Sequence, residues 1–143
     1  IDEVERILQQ PDVTTPLGLR DRAIFEVLYS TGMRRKEVCR LRLDHIYVDR
    51  QVLFVSLGKG QKDRYVPIGL RALTWIARYV QQARPQLSLD LTEQTLFLTV
   101  DGTAIHPDSL TEYGRRYLKG AGVEKPGACH IFRHTMATLM HDN

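Results

Sequence analysis

Two cysteines, one tryptophan and only 8% aromatic residues mark this 143-residue sequence. Two thiols, Cys39 and Cys129, are too few for the disulfide framework of a small secreted domain. The reducing cytoplasm is the default compartment for such a chain. No run of about 18 apolar residues occurs, so no membrane span and no membrane partner are expected. Lysine is scarce as well: five Lys stand against fifteen Arg. There is no H-E-x-x-H pattern and no cysteine cluster. His130 and His134, four apart, are the one pair with metal-ligand spacing, and they lack further ligands. No metal and no cofactor are therefore expected. The first residue is Ile1 rather than a methionine, which leads us to expect an excised segment with its upstream sequence out of view.

What is present is ordinary globular material, 43% hydrophobic and 26% charged. That composition excludes a disordered tail. A chain of this length makes one domain or a piece of one, and it can bury a core without a metal or a disulfide. Its net charge of +3 says little by itself. The preference for Arg says more, because guanidinium is the better fork for carboxylate or phosphate.

Helical periodicity dominates. A first helix over 2–10 opens on Asp2 and Glu5 at capping-box spacing and stops at Pro11. A polar loop with Thr14, Thr15 and Pro16 precedes a second helix over 17–30, whose stripe is Leu19, Ala23, Ile24, Val27 and Leu28. Ser30-Thr31-Gly32 breaks it. A short helix restarts near Arg34 and runs to about Leu41. Residues 51–57 are β-branched and apolar, Gly58-Lys59-Gly60-Gln61-Lys62 is a turn, and residues 63–67 return as a second strand that Pro67 ends, which predicts a β-hairpin. A helix over 70–83 is expected to bury Leu70, Leu73, Ile76, Ala77 and Val80. A polar loop over 84–94 and a third short strand at Leu96–Leu98 follow. The next helix spans Pro107 to about Gly120 and buries Leu110, Tyr113, Tyr117 and Leu118; proline suits its first position. A last helix starts near His130. The fold class is mainly α with a small antiparallel β-sheet.

Four places concentrate phosphate-binding groups. Thr31-Gly32-Met33-Arg34-Arg35-Lys36-Glu37 puts cationic side chains at a fresh helix N-terminus, where backbone N–H groups also favour an anion. The hairpin tip carries Lys59 between two glycines, then Lys62 and Arg64. Cys129-His130-Ile131-Phe132-Arg133-His134 sets His130 and Arg133 on one helical face. Arg115, Arg116 and Lys119 form a basic face on the preceding helix. Each has a plainer reading. An Arg-Arg-Lys run is commonly a solvated helix face, a Gly-Lys-Gly tip is commonly only a turn, and H-x-x-R arises by chance. Cys129 and Met136 read as packing residues. It is the joint order of the motifs that sets this sequence apart.

That order resembles the catalytic domain of the tyrosine recombinases, the phage integrase family. Thr31-Gly32-Met33-Arg34 with Glu37 and Leu41 is similar to the family's first arginine motif. Gly58-Lys59-Gly60-Gln61-Lys62-Asp63-Arg64 with Val66-Pro67 is similar to its hairpin lysine motif, and His130-Ile131-Phe132-Arg133-His134 to its H-x-x-R motif. The resemblance covers essentially the whole chain. It implies site-specific recombination or integration of double-stranded DNA by strand cleavage and religation, through a 3′-phosphotyrosyl intermediate. By the same resemblance, Arg34 and Arg133 would clamp the scissile phosphate, and His130 would hydrogen-bond it and assist proton transfer. Lys59 would be general acid to the leaving 5′ oxygen, and Glu37 would orient the pocket. Arg35, Lys36, Lys62, Arg64, Arg115, Arg116 and Lys119 are expected on the DNA. Other recombinase protomers are expected as partners of the full-length protein, in the cytoplasm at the nucleoid. A transition state of this kind needs positioning and charge neutralisation around phosphorus. Covalent capture conserves the bond energy for rejoining.

The pattern departs from the family in one respect. The family's nucleophilic tyrosine lies downstream of H-x-x-R. All six tyrosines here, Tyr29, Tyr47, Tyr65, Tyr79, Tyr113 and Tyr117, precede His130. The expectation is a catalytic domain lacking its nucleophile, its C-terminal segment and the family's N-terminal core-binding domain. Three other readings compete. The helices over 17–30 and 34–41 could be a helix-turn-helix that aims Arg35, Arg40 and Arg42 into a groove. A type IB topoisomerase shares the chemistry. An RNA-binding domain is disfavoured because most aromatics read as core.

Overall fold

The computed structural model describes residues 3–56 and 62–122. The hairpin tip with Lys59, and the segment with Cys129, His130, Arg133, His134 and Met136, lie outside the described residues. So does the expected last helix.

Helix α1 (Glu3–Leu8) leads into α2 (Pro16–Thr31), the helix on which the others pack. The start of α2 corrects the sequence reading: Pro16 belongs to the helix. Thr15 is the N-cap, its hydroxyl accepting from the Gly18 amide at 3.0 Å, and proline in the first turn gives up an N–H that the helix does not use. A side chain at Gly18 would strike the Asp12 carbonyl, since a Cβ there would stand 1.9 Å from its oxygen. The helix ends at Gly32, whose φ of 66° is the left-handed C-cap conformation that glycine adopts without a Cβ penalty.

Helix α3 (Arg35–Cys39) and a 3-10 turn (Leu43–His45) carry the chain into a three-stranded antiparallel sheet of order β1-β2-β3. The strands are β1 (Ile46–Tyr47), β2 (Val52–Val55) and β3 (Arg64–Pro67). Leu53 and Val55 are buried and point inward, and their partners across the ladder are Val66 and Arg64. Phe54 pairs with Tyr65 on the other face, where Tyr47 joins them. The expected third strand at Leu96–Leu98 is not in this sheet. That run is buried but bends at Leu96 and Phe97, and its backbone is satisfied elsewhere. The Leu96 amide donates to the Leu41 carbonyl, and the Tyr79 hydroxyl donates to Leu96 O and accepts from Leu98 N. The third strand is the two-residue β1, too short to carry a period.

Helix α4 (Leu70–Gln82) lies across α2. Its inner stripe is Ala72, Leu73, Ile76 and Tyr79, continued by Ala83, so Leu70 and Ala77 are exposed where the sequence placed them inside. The stripe is rotated because Tyr79 is fully buried, its hydroxyl matched by the two backbone bonds above. The stretch expected to be loop begins with a one-turn helix, α5 (Arg84–Leu87), in which proline again occupies the first turn. Arg84 closes the loop after it by donating to the carbonyls of Glu93, Thr95 and Leu96.

Helix α6 (Pro107–Gly120) has the expected bounds. Leu110 and Leu118 are buried, while Tyr113 and Tyr117 are half-buried against the core. Tyr117 crosses to α2, packing edge-on against Phe25 and donating to Asp21 at 2.5 Å. Asp21 also takes two hydrogen bonds from Arg20, whose third goes to the Leu98 carbonyl at 3.0 Å. Arg20 and Asp21 are both buried, so one charge pair ties α2, α6 and the 96–98 segment together. None of the described helices is long and apolar enough to cross a membrane.

Candidate functional site

The site is built around the turn from α2 into α3. The Thr31 hydroxyl donates back to the Val27 carbonyl and accepts from the Met33 amide. Gly32 reverses the chain, and Met33 is buried as its anchor. Val38, Cys39 and Leu41 bury the other side of the short helix. These contacts fix the backbone and leave the Arg34 side chain exposed at the N-cap of α3.

Glu37, one turn on, is buried and accepts three hydrogen bonds. Its Oε1 takes the Arg34 amide at 2.8 Å and Arg64 Nη2 at 3.1 Å; its Oε2 takes Arg64 Nη1 at 2.5 Å. The two-pronged contact joins α3 to β3, because the sheet register turns Arg64 to the face of Val55. Burial disfavours the Glu37 anion. The hydrogen bonds from Arg64 and the Arg34 amide, with the charges of both arginines, outweigh it and hold the carboxyl below its usual range. The same contact raises the Arg64 guanidinium.

A depressed carboxylate contributes stability that is present above its unfolded pKa and lost as pH falls through its folded one. For Glu37 that window opens near pH 4.5 and extends below it. Glu37→Gln is expected to flatten the acid loss of stability in that window. Thermal midpoints of both proteins, measured from pH 6 to pH 3, test this; parallel curves would contradict it.

The other expected DNA-facing residues fall into groups. Arg35 is turned sideways: its Nη1 donates to the Pro107 carbonyl, Asp108 Oδ1 and, at 2.8 Å, Thr111 Oγ1, clamping α3 to the start of α6. Lys36, Lys62 and Lys119 are exposed. Arg115 pairs with Glu112 along α6, and Arg116 lies over the Tyr113 ring, 5.3 Å from its centre. Arg34, Glu37 and Arg64 are thus brought together, and Arg35 links them to α6. Arg115, Arg116 and Lys119 lie further along that helix. Lys59, His130 and Arg133 lie outside the described residues. Sequence reasoning set Arg64 against DNA and missed its hold on Glu37. The signal was there in the period of two that puts Arg64 and Val66 on one face.

A helix-turn-helix does not fit these residues. Helix α3 has five residues, and the Arg35 side chain is spent on α6. The tyrosines are informative too. Tyr79 and Tyr117 have their hydroxyls committed, and burial pushes the Tyr79 phenol up to about 12. Tyr65 is on the opposite sheet face from Arg64. Burial likewise pushes the Cys39 thiol up to about 11, which makes it a packing group. Among the described residues, no three His, Cys, Asp or Glu side chains stand together as metal ligands.

The family model described as the phage integrase family matches residues 1–143. The chain belongs to that family. Its relatives include tyrosine recombinase XerC 2 of Ralstonia nicotianae, 49% identical over 140 residues, which span 98% of this chain and 40% of the relative. Tyrosine recombinase XerD of Lacticaseibacillus casei is 40% identical over 141 residues, 99% of this chain and 48% of the relative. The chain therefore spans about half, or less, of the length of these curated relatives. Among solved structures, the XerA recombinase matches with a TM-score of 0.82 at 28% identity, over 96% of this chain and 47% of that one. In this family the α-rich fold with its three-stranded sheet is the tyrosine recombinase catalytic-domain fold.

Proposed function

We propose that the chain is the catalytic domain, in part, of a site-specific DNA recombinase that cuts and rejoins double-stranded DNA through a 3′-phosphotyrosyl link. The observation that supports this best is the assembly at α3. An exposed Arg34 is held on a rigid turn, with Glu37 beneath it and the lysine hairpin tied in through Arg64. A rigidly presented guanidinium suits the non-bridging oxygens of a phosphate, where charge grows in the transition state.

In this reading Arg34 and Arg133 hold the scissile phosphate. His130 hydrogen-bonds it, and Lys59 protonates the leaving 5′ oxygen. Lys36, Lys62, Arg115, Arg116 and Lys119 meet the flanking phosphates, while Arg35 and Arg64 hold α6 and Glu37 in place. The nucleophile is a tyrosine beyond Asn143, and the complete protein also has an N-terminal core-binding domain. Its partners are DNA and further recombinase protomers. It works in the cytoplasm at the nucleoid, and integration of a mobile element is one form the reaction takes.

The test uses residues 1–143 on a labelled duplex and on a nicked suicide substrate. Binding should be weak and sequence-tolerant, and should fall steeply with salt, because affinity comes from counterion release. No covalent DNA adduct should survive a denaturing gel. Binding indifferent to salt would contradict the basic face. An adduct would show that one of the six tyrosines attacks.

A further inference from the structure

We infer that Arg64 is a positioning residue for Arg34, acting through Glu37, and not primarily a contact to DNA. The inference rests on the recombinase reading above and deepens it. Three observations carry it. Both terminal nitrogens of Arg64 face the two carboxylate oxygens of Glu37, so the polar fork of the side chain is already used. The Glu37 side chain is only 6% exposed, whereas that of Arg64 is 44% exposed, so the partner that needs the contact is the carboxylate. The carboxylate oxygen taken by Arg64 Nη2 is also the one that accepts the Arg34 amide. A shift of Glu37 therefore moves the N-cap from which Arg34 projects.

The same contact has a second consequence. Arg64 opens β3, five residues after Lys59 in the sequence. Its grip on Glu37 joins the strand that leads from the lysine to the helix that carries the arginine. Lysine cannot replace arginine here, because an ammonium is a point charge and does not match both oxygens. Deleting the guanidinium leaves Glu37 buried with the Arg34 amide as its remaining partner among these three bonds, and an under-compensated buried charge moves or takes up a proton.

The experiment uses the complete protein, a nicked suicide duplex and the variants Arg64→Ala, Arg64→Lys, Lys62→Ala, Arg34→Ala and the double change Arg64→Ala with Glu37→Gln. With Arg64→Ala, DNA affinity and its salt dependence should stay within about twofold of wild type. The rate of covalent product formation at saturating DNA should fall on the order of 10- to 100-fold, the loss that a small misplacement of a reacting group brings. Arg64→Lys should fall as well. The double change should recover part of the rate, because it removes the stranded charge. Lys62→Ala should do the reverse, weakening binding and lowering the salt slope by about one phosphate contact. Exchange of the Arg34 amide hydrogen, followed by NMR without DNA, should quicken in Arg64→Ala and not in Lys62→Ala.

Arg64→Ala that weakens binding, flattens the salt slope and cleaves at the wild-type rate when saturated would overturn the inference. So would an unchanged Arg34 amide, and that readout needs no activity. Failure of the recombinase reading looks different: Arg34→Ala would then match wild type, or wild type would form no adduct.

Discussion

Arg34→Ala in the complete protein is expected to lower covalent strand cleavage on the order of 10²- to 10³-fold, the usual cost of removing a donor aimed at developing negative charge. The expectation is specific because of what the substitution leaves alone. Arg34 caps α3 through its backbone: its carbonyl accepts from the Glu37 and Val38 amides, and its own amide donates to Glu37. Alanine keeps all three bonds. The side chain is exposed, so stability should change by no more than about 0.5 kcal/mol. Cleavage and thermal midpoint should therefore separate. A variant that cleaves normally, or that fails only because it unfolds, would contradict the role given to this arginine.

The largest expected effect on stability belongs to Asp21→Ala. The substitution strips the buried Arg20 of its carboxylate and the Tyr117 hydroxyl of its acceptor. Breaking one side of a buried pair costs about 3–5 kcal/mol, chiefly because the remaining charge is stranded. The thermal midpoint should fall by roughly 10 °C or more. Asp21→Asn keeps an acceptor and should lose less. Tyr117→Phe should lose about 1.5–3 kcal/mol, the worth of one hydrogen bond to a charged group. Calorimetry on the three variants checks the order. Equal losses for Asp21→Ala and Tyr117→Phe would mean that the pair is not the tie between α2 and α6.

The parts of this fold that were legible in the sequence are those where side-chain period and end signals agree. Helix α6 has both: Pro107 at its first turn and a stripe through Leu110 and Leu118. Helix α2 ends where Gly32 must, and the hairpin strands alternate around their turn. What escaped depends on tertiary partners. Strand β1 has two residues and exists because β2 is beside it. Tyr79 lies outside the stripe expected for the 70–83 helix and is buried because the 96–98 backbone meets its hydroxyl. Nothing in the sequence pattern marks Arg20 and Asp21 for burial, because each is compensated by the other.

The site divides in the same way. The Thr31-Gly32-Met33-Arg34 turn is formed by bonds to residues at most four positions apart. It was legible for that reason. The Arg64 contact spans 27 positions and depends on strand register, so membership in the basic cluster at the hairpin tip pointed that guanidinium at DNA instead. Arg35 shows the same limit, since its acceptors on α6 are more than seventy residues away.

The central claim is that Arg34 shares one phosphate with His130 and Arg133, almost a hundred residues later in the sequence. The measurement that tests it most directly is an experimental structure of the complete protein trapped on a nicked suicide duplex. The account predicts the Arg34 and Arg133 guanidiniums and the His130 imidazole within hydrogen-bonding distance of the oxygens of one scissile phosphate, with Glu37 still bonded to Arg64 behind them. An Arg34 directed to a different phosphate, or to the face away from His130 and Arg133, would contradict it.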